Sequence, residues 1–243
     1  MTISRRLDWP DCQNTRDLGG LPLPGGFTRA GVLVRSDNVG SLNSAGQEAM
    51  VAYGVTTVID LRSESEVASS RGPLAQPPSN GSGPVYLHLP LIDDATMLKL
   101  SEAPNMFDRY LMMLEHRQAA FGEVFSTLAQ AEGTVVFHCF AGKDRTGMVA
   151  AMSLELAGVG ADAIAADYAE TDSQLAARYE EWLAAASPEK WQEMRDDLRC
   201  PPERIVGVLE HLEQRWGGAE GYLDAAGVDA ADLTRLRAKL STP

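Results

Sequence analysis

Thr134-Val135-Val136-Phe137-His138-Cys139-Phe140-Ala141-Gly142-Lys143-Asp144-Arg145-Thr146-Gly147-Met148-Val149-Ala150-Ala151 holds a strand, a tight loop and a helix start in one run. The β-branched and aromatic residues 134–138 read as a buried strand. Cys139 stands at its end, five residues intervene, and Arg145-Thr146-Gly147 opens an apolar helix. A loop of this length turns successive backbone amides inward, and the helix N-terminus adds partial positive charge. Such a cradle suits a tetrahedral dianion and favours a thiolate at its base. Arg145 supplies a planar fork for two oxygens of that anion. Gly142 lets the backbone approach closely, and Thr146 brings a hydroxyl towards the sulfur. Phe140, Ala141, Gly142, Lys143, Asp144, Arg145 and Thr146 are therefore the expected phosphate-binding residues. A buried structural thiol is the commoner fate of a lone cysteine after an apolar strand. The Cys-x5-Arg-Thr-Gly pattern at a strand–helix junction favours a nucleophile instead. His138 is expected to support the loop rather than to shuttle protons.

Short apolar stretches at 31–35, 55–60 and 85–89 read as further strands, and Ser44–Tyr53 and Asn105–Ala131 as helices, the first opening on a serine cap. Alternating strands and helices imply an α/β fold with a mainly parallel sheet covered on both faces. The Gly-, Pro- and Ser-rich stretch 69–84 reads as a loop. Beyond residue 146 the pattern is helical, punctuated by Gly158, Pro188, Pro201-Pro202 and Gly217-Gly218. Within it, 172–200 carries Leu175, Tyr179, Trp182, Leu183, Trp191, Met194 and Leu198 between charges. It reads as a helical, lid-like insertion within a single domain spanning 1–243, with ordinary packing as the plainer alternative.

The 243 residues are 44% hydrophobic and 23% charged, as expected for one globular domain with an insertion. Met1 to Asp8 carries basic residues with no apolar run behind them, and no stretch reaches the ~20 apolar residues of a membrane span. The expectation is a cytoplasmic protein without membrane insertion. Cys12, Cys139 and Cys200 lie far apart, which argues against a disulfide framework or a zinc site. With 21 basic against 34 acidic residues the net charge is −13, which disfavours nucleic acid as a partner. A local cradle can still hold a phosphate. No metal or cofactor is expected, and the oligomeric state is open.

The segment His138 to Gly147 resembles the signature of the atypical bacterial tyrosine phosphatases related to protein tyrosine phosphatase B. Asn14-Thr15-Arg16-Asp17-Leu18-Gly19-Gly20 is similar to that family too. So are Val34-Arg35-Ser36-Asp37, Gly54-Val55, Val58-Ile59-Asp60-Leu61-Arg62-Ser63 with Glu66, and Gly221-Tyr222-Leu223 with Ala226-Gly227-Val228. These segments stand in family order along nearly the whole chain. The resemblance implies a phosphatase fold, with activity on phosphotyrosine and, across the family, on phosphoserine, phosphothreonine and phosphoinositides. Phosphorylated proteins, lipids or small molecules would then be its partners.

Departure of an alkoxide or phenoxide calls for a general acid. Asp144 is the first candidate, being inside the loop where the resemblance assigns an aspartate a catalytic part; its alternative role is to orient Arg145. Asp60, at a strand end facing the crevice, is the second, and Asp93 and Asp94 are weaker. Trp9-Pro10-Asp11 imitates a phosphatase acid loop, but it lies about 130 residues before Cys139 and reads as coincidence. Lys143 is either a solvated lysine or a second cation for substrates with a further phosphate. Arg16, Asp17 and Arg62 are expected to form structural ion pairs. The rivals are a silent phosphate-binding module, an arsenate reductase or sulfurtransferase on the same loop, and a small-molecule phosphatase, which would share all these residues. Pro90 to Phe107 is short beside some relatives, so substrate preference transfers least securely.

Overall fold

The computed structural model describes residues 4–70 and 83–241 of the chain. In order come β1 (Arg16–Asp17), β2 (Pro22–Leu23), β3 (Gly26–Phe27), β4 (Leu33–Ser36), α1 (Ser44–Ala52), β5 (Val55–Asp60), α2 (Glu64–Ser69) and β6 (Val85–His88). Then follow α3 (Asp94–Leu100), α4 (Met106–His116), α5 (Gln118–Gln130), β7 (Thr134–His138), α6 (Asp144–Ala157), α7 (Ala161–Gln174), α8 (Ala176–Ala185) and α9 (Trp191–Leu198). The chain closes with α10 (Pro202–Trp216), α11 (Ala219–Ala225) and α12 (Ala230–Leu240).

The main sheet has the order β1-β4-β7-β5-β6; β4, β7, β5 and β6 run parallel, while β1 is antiparallel to β4. The mixed α/β fold with a mainly parallel sheet is thus as the sequence implied. The last strand in the chain, β7, takes the central position, which suits its unbroken apolar run, because a central parallel strand is covered on both faces. Its side chains divide by parity: Val135, Phe137 and Cys139 enter the large core, and Val136 enters a smaller one with Trp9, Val34, Val58 and Met50. Register aligns Ser36, His138, Asp60 and His88 across the four parallel strands. The loops after these residues therefore open on one crevice at the carboxyl edge of the sheet.

Helix α6, which follows the loop, is buried over nearly its whole circumference, from Arg145 through Leu154. It packs on α7, α10, α11 and α12 as well as on the sheet, as a helix that is apolar all round must. The carboxyl half of the chain thus wraps the helix that carries the loop. Gly158 and Gly217 cap α6 and α10 in left-handed conformation and Pro202 opens α10, matching the sequence punctuation.

Several boundaries differ from expectation. The 31–35 strand begins at Leu33, because the Gly31 amide is already spent on Asp17 Oδ2 at 2.6 Å. Helix α1 is capped by Asn43, whose side chain accepts from the Gly46 amide at 3.0 Å, and not by Ser44. The expected single helix 105–131 is two helices broken at Arg117. No proline or glycine marks that break. It is set by tertiary contacts, since Arg117 Nε donates to Leu91 O at 3.1 Å and its guanidinium pairs with Asp93. Ser69 belongs to α2, and residues 71–82 of the loop expected at 69–84 lie outside the described residues. No helix among the described residues is long and apolar enough to cross a membrane.

Candidate active site

Cys139 leaves β7 at the floor of a cavity of about 510 Å³. Lys143, Asp144 and Arg145 share that floor, Met97 and Met106 form one wall, and Trp182 and Met194 of α8 and α9 form the other. The loop's carbonyls are tied down on its outer side. Phe140 O accepts from the Asn38 amide at 3.2 Å. Asn14 Nδ2 donates to Ala141 O at 3.0 Å and to Gly142 O at 3.1 Å, and Arg35 Nη2 donates to Gly142 O at 2.8 Å. With the carbonyls engaged outside, the amides are left for the concave side, as an anion cradle requires.

The struts behind the loop converge on one carboxylate. Asp167 Oδ1 accepts from Arg16 Nε at 3.0 Å and from Arg5 Nη1 at 2.8 Å, and Oδ2 accepts from Arg35 Nη1 at 2.6 Å. Arg16 in turn donates to Asn14 Oδ1 at 2.5 Å. Burial alone would raise the Asp167 pKa, but Arg16, Arg35 and Arg5 outweigh it and hold the carboxyl well below its ordinary range. Burial beside Arg35 also loosens the Arg16 proton, to a pKa of about 10. Arg16 therefore is a structural ion-pair residue, as its turn suggested. Asp17 is not; it accepts from the Gly19 and Gly31 amides, both at 2.6 Å, and from Tyr53.

Gly142 has φ of +65°, and a Cβ there would sit 2.5 Å from Ser36 O. Gly142→Ala is accordingly expected to distort the loop and lower kcat by about 100-fold while the protein stays folded, read by steady-state kinetics beside a melting curve. Gly147 answers a different need: a Cβ there would lie 3.1 Å from the Tyr168 ring, which packs flush on the helix start.

Arg145 is held in a bidentate fork, with Nη1 on Glu66 Oε2 at 2.5 Å and Nη2 on Oε1 at 2.8 Å. Burial would loosen its proton, but Glu66, Cys139 and Asp144 together tighten it. Glu66 is itself fixed by a capping box, its Oε2 accepting from the Ser63 amide at 2.8 Å. Burial pushes its pKa up, and Arg145 more than reverses this. Glu66→Gln keeps the shape but loses the charge-assisted fork, so kcat/KM on an aryl phosphate is expected to fall about tenfold. An unchanged value would show that Arg145 orients without it.

Of the two acid candidates, only Asp144 lines the cavity. Its Oδ1 accepts from Tyr110 and lies 3.1 Å from Lys143 Nζ. Burial raises its pKa, but the Lys143 charge and the Tyr110 hydrogen bond bring it below the ordinary value. Asp60 is wholly buried and turned to other work. It grips Arg62 through Nε and Nη2, accepts from Tyr86 at 2.7 Å, and sits 3.7 Å from His138 Nε2. Burial is again overcome, by the Arg62 guanidinium and the Tyr86 hydroxyl that bind the carboxylate, so Asp60 stays ionised. Its place is to set Arg62 and His138, whose Nδ1 lies 3.1 Å from Cys139 O. Burial chiefly keeps His138 neutral, its pKa below the usual value.

Asp93 caps α3 and pairs with Arg117, and Asp94 accepts from Ser65, so neither reaches the loop. Trp9 is buried in the small core against Tyr53, away from the cavity. Lys143 is not a solvated lysine: it is buried, and its ammonium donates to the Asp197 carbonyl of α9. Thr146 Oγ1 is buried without a hydrogen-bond partner among the described residues. Burial pushes the Cys200 thiol up to about 12, and that of Cys12 higher. Neither lines the cavity, so both fit structural thiols.

Glu66, Asp167 and Tyr110 carry site geometry that residue spacing did not assign. Glu66 was within reach, because Ser63-x-x-Glu66 is a capping-box pattern that fixes where the carboxylate points. Asp167 and Tyr110 leave no local signal, since their partners lie far along the chain.

The model for the family described as "Tyrosine phosphatase family" matches residues 7–242. A tyrosine-protein phosphatase of Nostoc commune is 32% identical over 219 residues, covering 87% of this chain and 74% of its own. A putative tyrosine-protein phosphatase of Cupriavidus necator is 32% identical over 238 residues, covering 93% and 86%. The triple specificity protein phosphatase PtpB of Mycobacterium tuberculosis is 32% identical over 265 residues, covering 87% and 91%.

Proposed function

The chain belongs to the tyrosine phosphatase family, whose members are phosphoric monoester hydrolases, and on that premise we propose a mechanism centred on Cys139 with Arg145 as phosphate clamp. The observation that carries it is the cradle itself: a cysteine at the end of the central strand, loop carbonyls tied outward, and a guanidinium forked into place by Glu66. The Cys139 thiolate attacks phosphorus in line, forming an S–P bond as the ester P–O bond breaks. Loop amides and Arg145 hold the equatorial oxygens. Asp144 protonates the leaving oxygen. Water then attacks the cysteinyl-phosphate and gives its proton to the Asp144 carboxylate, releasing inorganic phosphate and the thiolate.

A carboxyl held below its ordinary pKa is an unexpected acid, but Asp144 is held there mainly by Lys143. An arriving phosphate dianion offsets that charge and raises the carboxyl's proton affinity as substrate binds. In the second step the same cation favours the carboxylate that serves as base.

The preferred substrate is an aryl phosphate such as phosphotyrosine, whose ring meets Met97, Met106 and Trp182 along the cavity walls. The "triple specificity" in the name of the mycobacterial relative supports extension to further phosphomonoesters. The described residues are read as one domain, with 172–200 as its lid-like part. Support for that comes from Arg178 of α8, paired with Asp37 at 2.9 Å, and from Asp197 of α9, paired with Arg109 at 2.7 Å. Trp182 of the same region stacks on Phe140.

Trapping tests the reading. Denaturing quench of the enzyme turning over labelled aryl phosphate in EDTA is expected to leave label on the peptide bearing Cys139. Label on another residue, or turnover that EDTA abolishes, overturns the assignment.

A further inference from the structure

Behind the cavity, two buried tyrosines form a chain of hydroxyls that ends on Asp144. Tyr110 of α4 donates to Asp144 Oδ1, and its hydroxyl lies 2.8 Å from that of Tyr168 in α7. Both rings are almost wholly buried, at 0% and 1% exposure. A phenol has one proton to give. Tyr110 spends it on the carboxylate and must therefore accept from Tyr168, whose own proton is committed in turn. The Arg204 guanidinium of α10 stands near enough to Tyr168 for its charge to act on the phenol. The chain runs from the Tyr168 hydroxyl through that of Tyr110 to the carboxylate, with both donors pointing the same way, an arrangement in which each bond strengthens the next.

Lys143 Nζ also falls on Oδ1, so both donors meet the same oxygen. A carboxyl with its proton on Oδ1 keeps too little acceptor capacity there for both donors, so at least one contact would be lost. We propose that Tyr110, backed by Tyr168, is a positioning residue for the acid: it pins Oδ1 of Asp144 as an acceptor and so directs the catalytic proton to Oδ2. The inference rests on the reading of Asp144 given above and deepens it. It also accounts for Gly147, whose missing side chain gives the Tyr168 ring its seat.

Groups facing Asp144 come from every element around it. Its own loop supplies Lys143 and Arg145, and α4 supplies Tyr110. Tyr168 of α7, Tyr179 of α8, Cys200 and Arg204 of α10 complete the shell. In Tyr110→Phe the cations remain, while the donor that favours the carboxylate form is gone. The proton affinity of Asp144 then rises, and the basic limb of the kcat/KM profile, where the acid loses its proton, moves to higher pH.

The test compares wild type, Tyr110→Phe, Asp144→Asn and the double variant on aryl phosphates of graded leaving-group basicity and on one alkyl phosphate, across pH. Tyr110→Phe is expected to lower kcat on the alkyl phosphate about tenfold, to spare para-nitrophenyl phosphate, and to bind vanadate as wild type does. In the Asp144→Asn background it should add nothing, because the two act as one unit. Equal losses on all leaving groups, or losses that add in the double variant, would make the tyrosine merely structural. Should Asp144→Asn itself retain full activity on the alkyl phosphate, the acid assignment falls, and this inference with it. Tyr168→Phe reads the same pattern at smaller amplitude and serves if Tyr110→Phe does not fold.

Discussion

Cys139→Ser is expected to yield a folded protein that still binds vanadate and has lost at least about 10⁴-fold in turnover of para-nitrophenyl phosphate. The substitution alters one atom at a site that is 2% exposed and leaves the outer ties of the loop untouched. A serine hydroxyl holds its proton at neutral pH, and His138, turned to the residue-139 carbonyl, is not placed to remove it. Binding therefore survives while attack does not. Steady-state kinetics with vanadate titration separate the two. A serine variant within tenfold of wild type would mean that phosphorus is attacked by water directly and that the cysteine only lines the cradle.

Asp167→Asn is expected to be the most damaging change outside the cavity, lowering unfolding stability by about 3–5 kcal/mol. It would leave Arg16 and Arg35, both wholly buried, without their shared counter-charge. Against a typical total of ~5–15 kcal/mol that is a large share. Arg35 and Asn14 hold the loop carbonyls, so activity should fall before the protein melts. The wild-type pair also predicts a pH signature. The Asp167 pKa is lower folded than unfolded. Its stabilisation is therefore complete above the unfolded value of about 4 and drains away as pH falls below it. Denaturant melts from pH 7 to pH 3 should fall more steeply for wild type than for Asp167→Asn. Parallel slopes would show that the carboxylate contributes little in place.

The sequence made the strand–loop–helix unit legible because its information is local: an apolar run, a fixed spacing and a glycine in the turn. Strands 55–60 and 134–138 matched to the residue for the same reason. The break at Arg117 was hidden, because apolar spacing continues through it and only contacts with Leu91 and Asp93 impose it. Asp60 looked like a second acid because strand ends face the crevice; what the pattern could not display is that Arg62, Tyr86 and His138 already claim its carboxylate. Whether Lys143 was solvated or a site cation stayed open for the same kind of reason, its cover being supplied by a helix some fifty residues on. Charge partners set by tertiary folding leave no periodic trace.

The parity of β7 has an evolutionary consequence. Val135, Phe137 and Cys139 share one side of the sheet and Val136 the other. Because a one-residue slip exchanges the faces of a strand, a single insertion or deletion between 134 and 139 would swap both cores and carry the cysteine away from its cradle. Lineages descended from this chain should accumulate length changes in the surface connection between α3 and α4 and almost none in β7, whatever happens to individual side chains there.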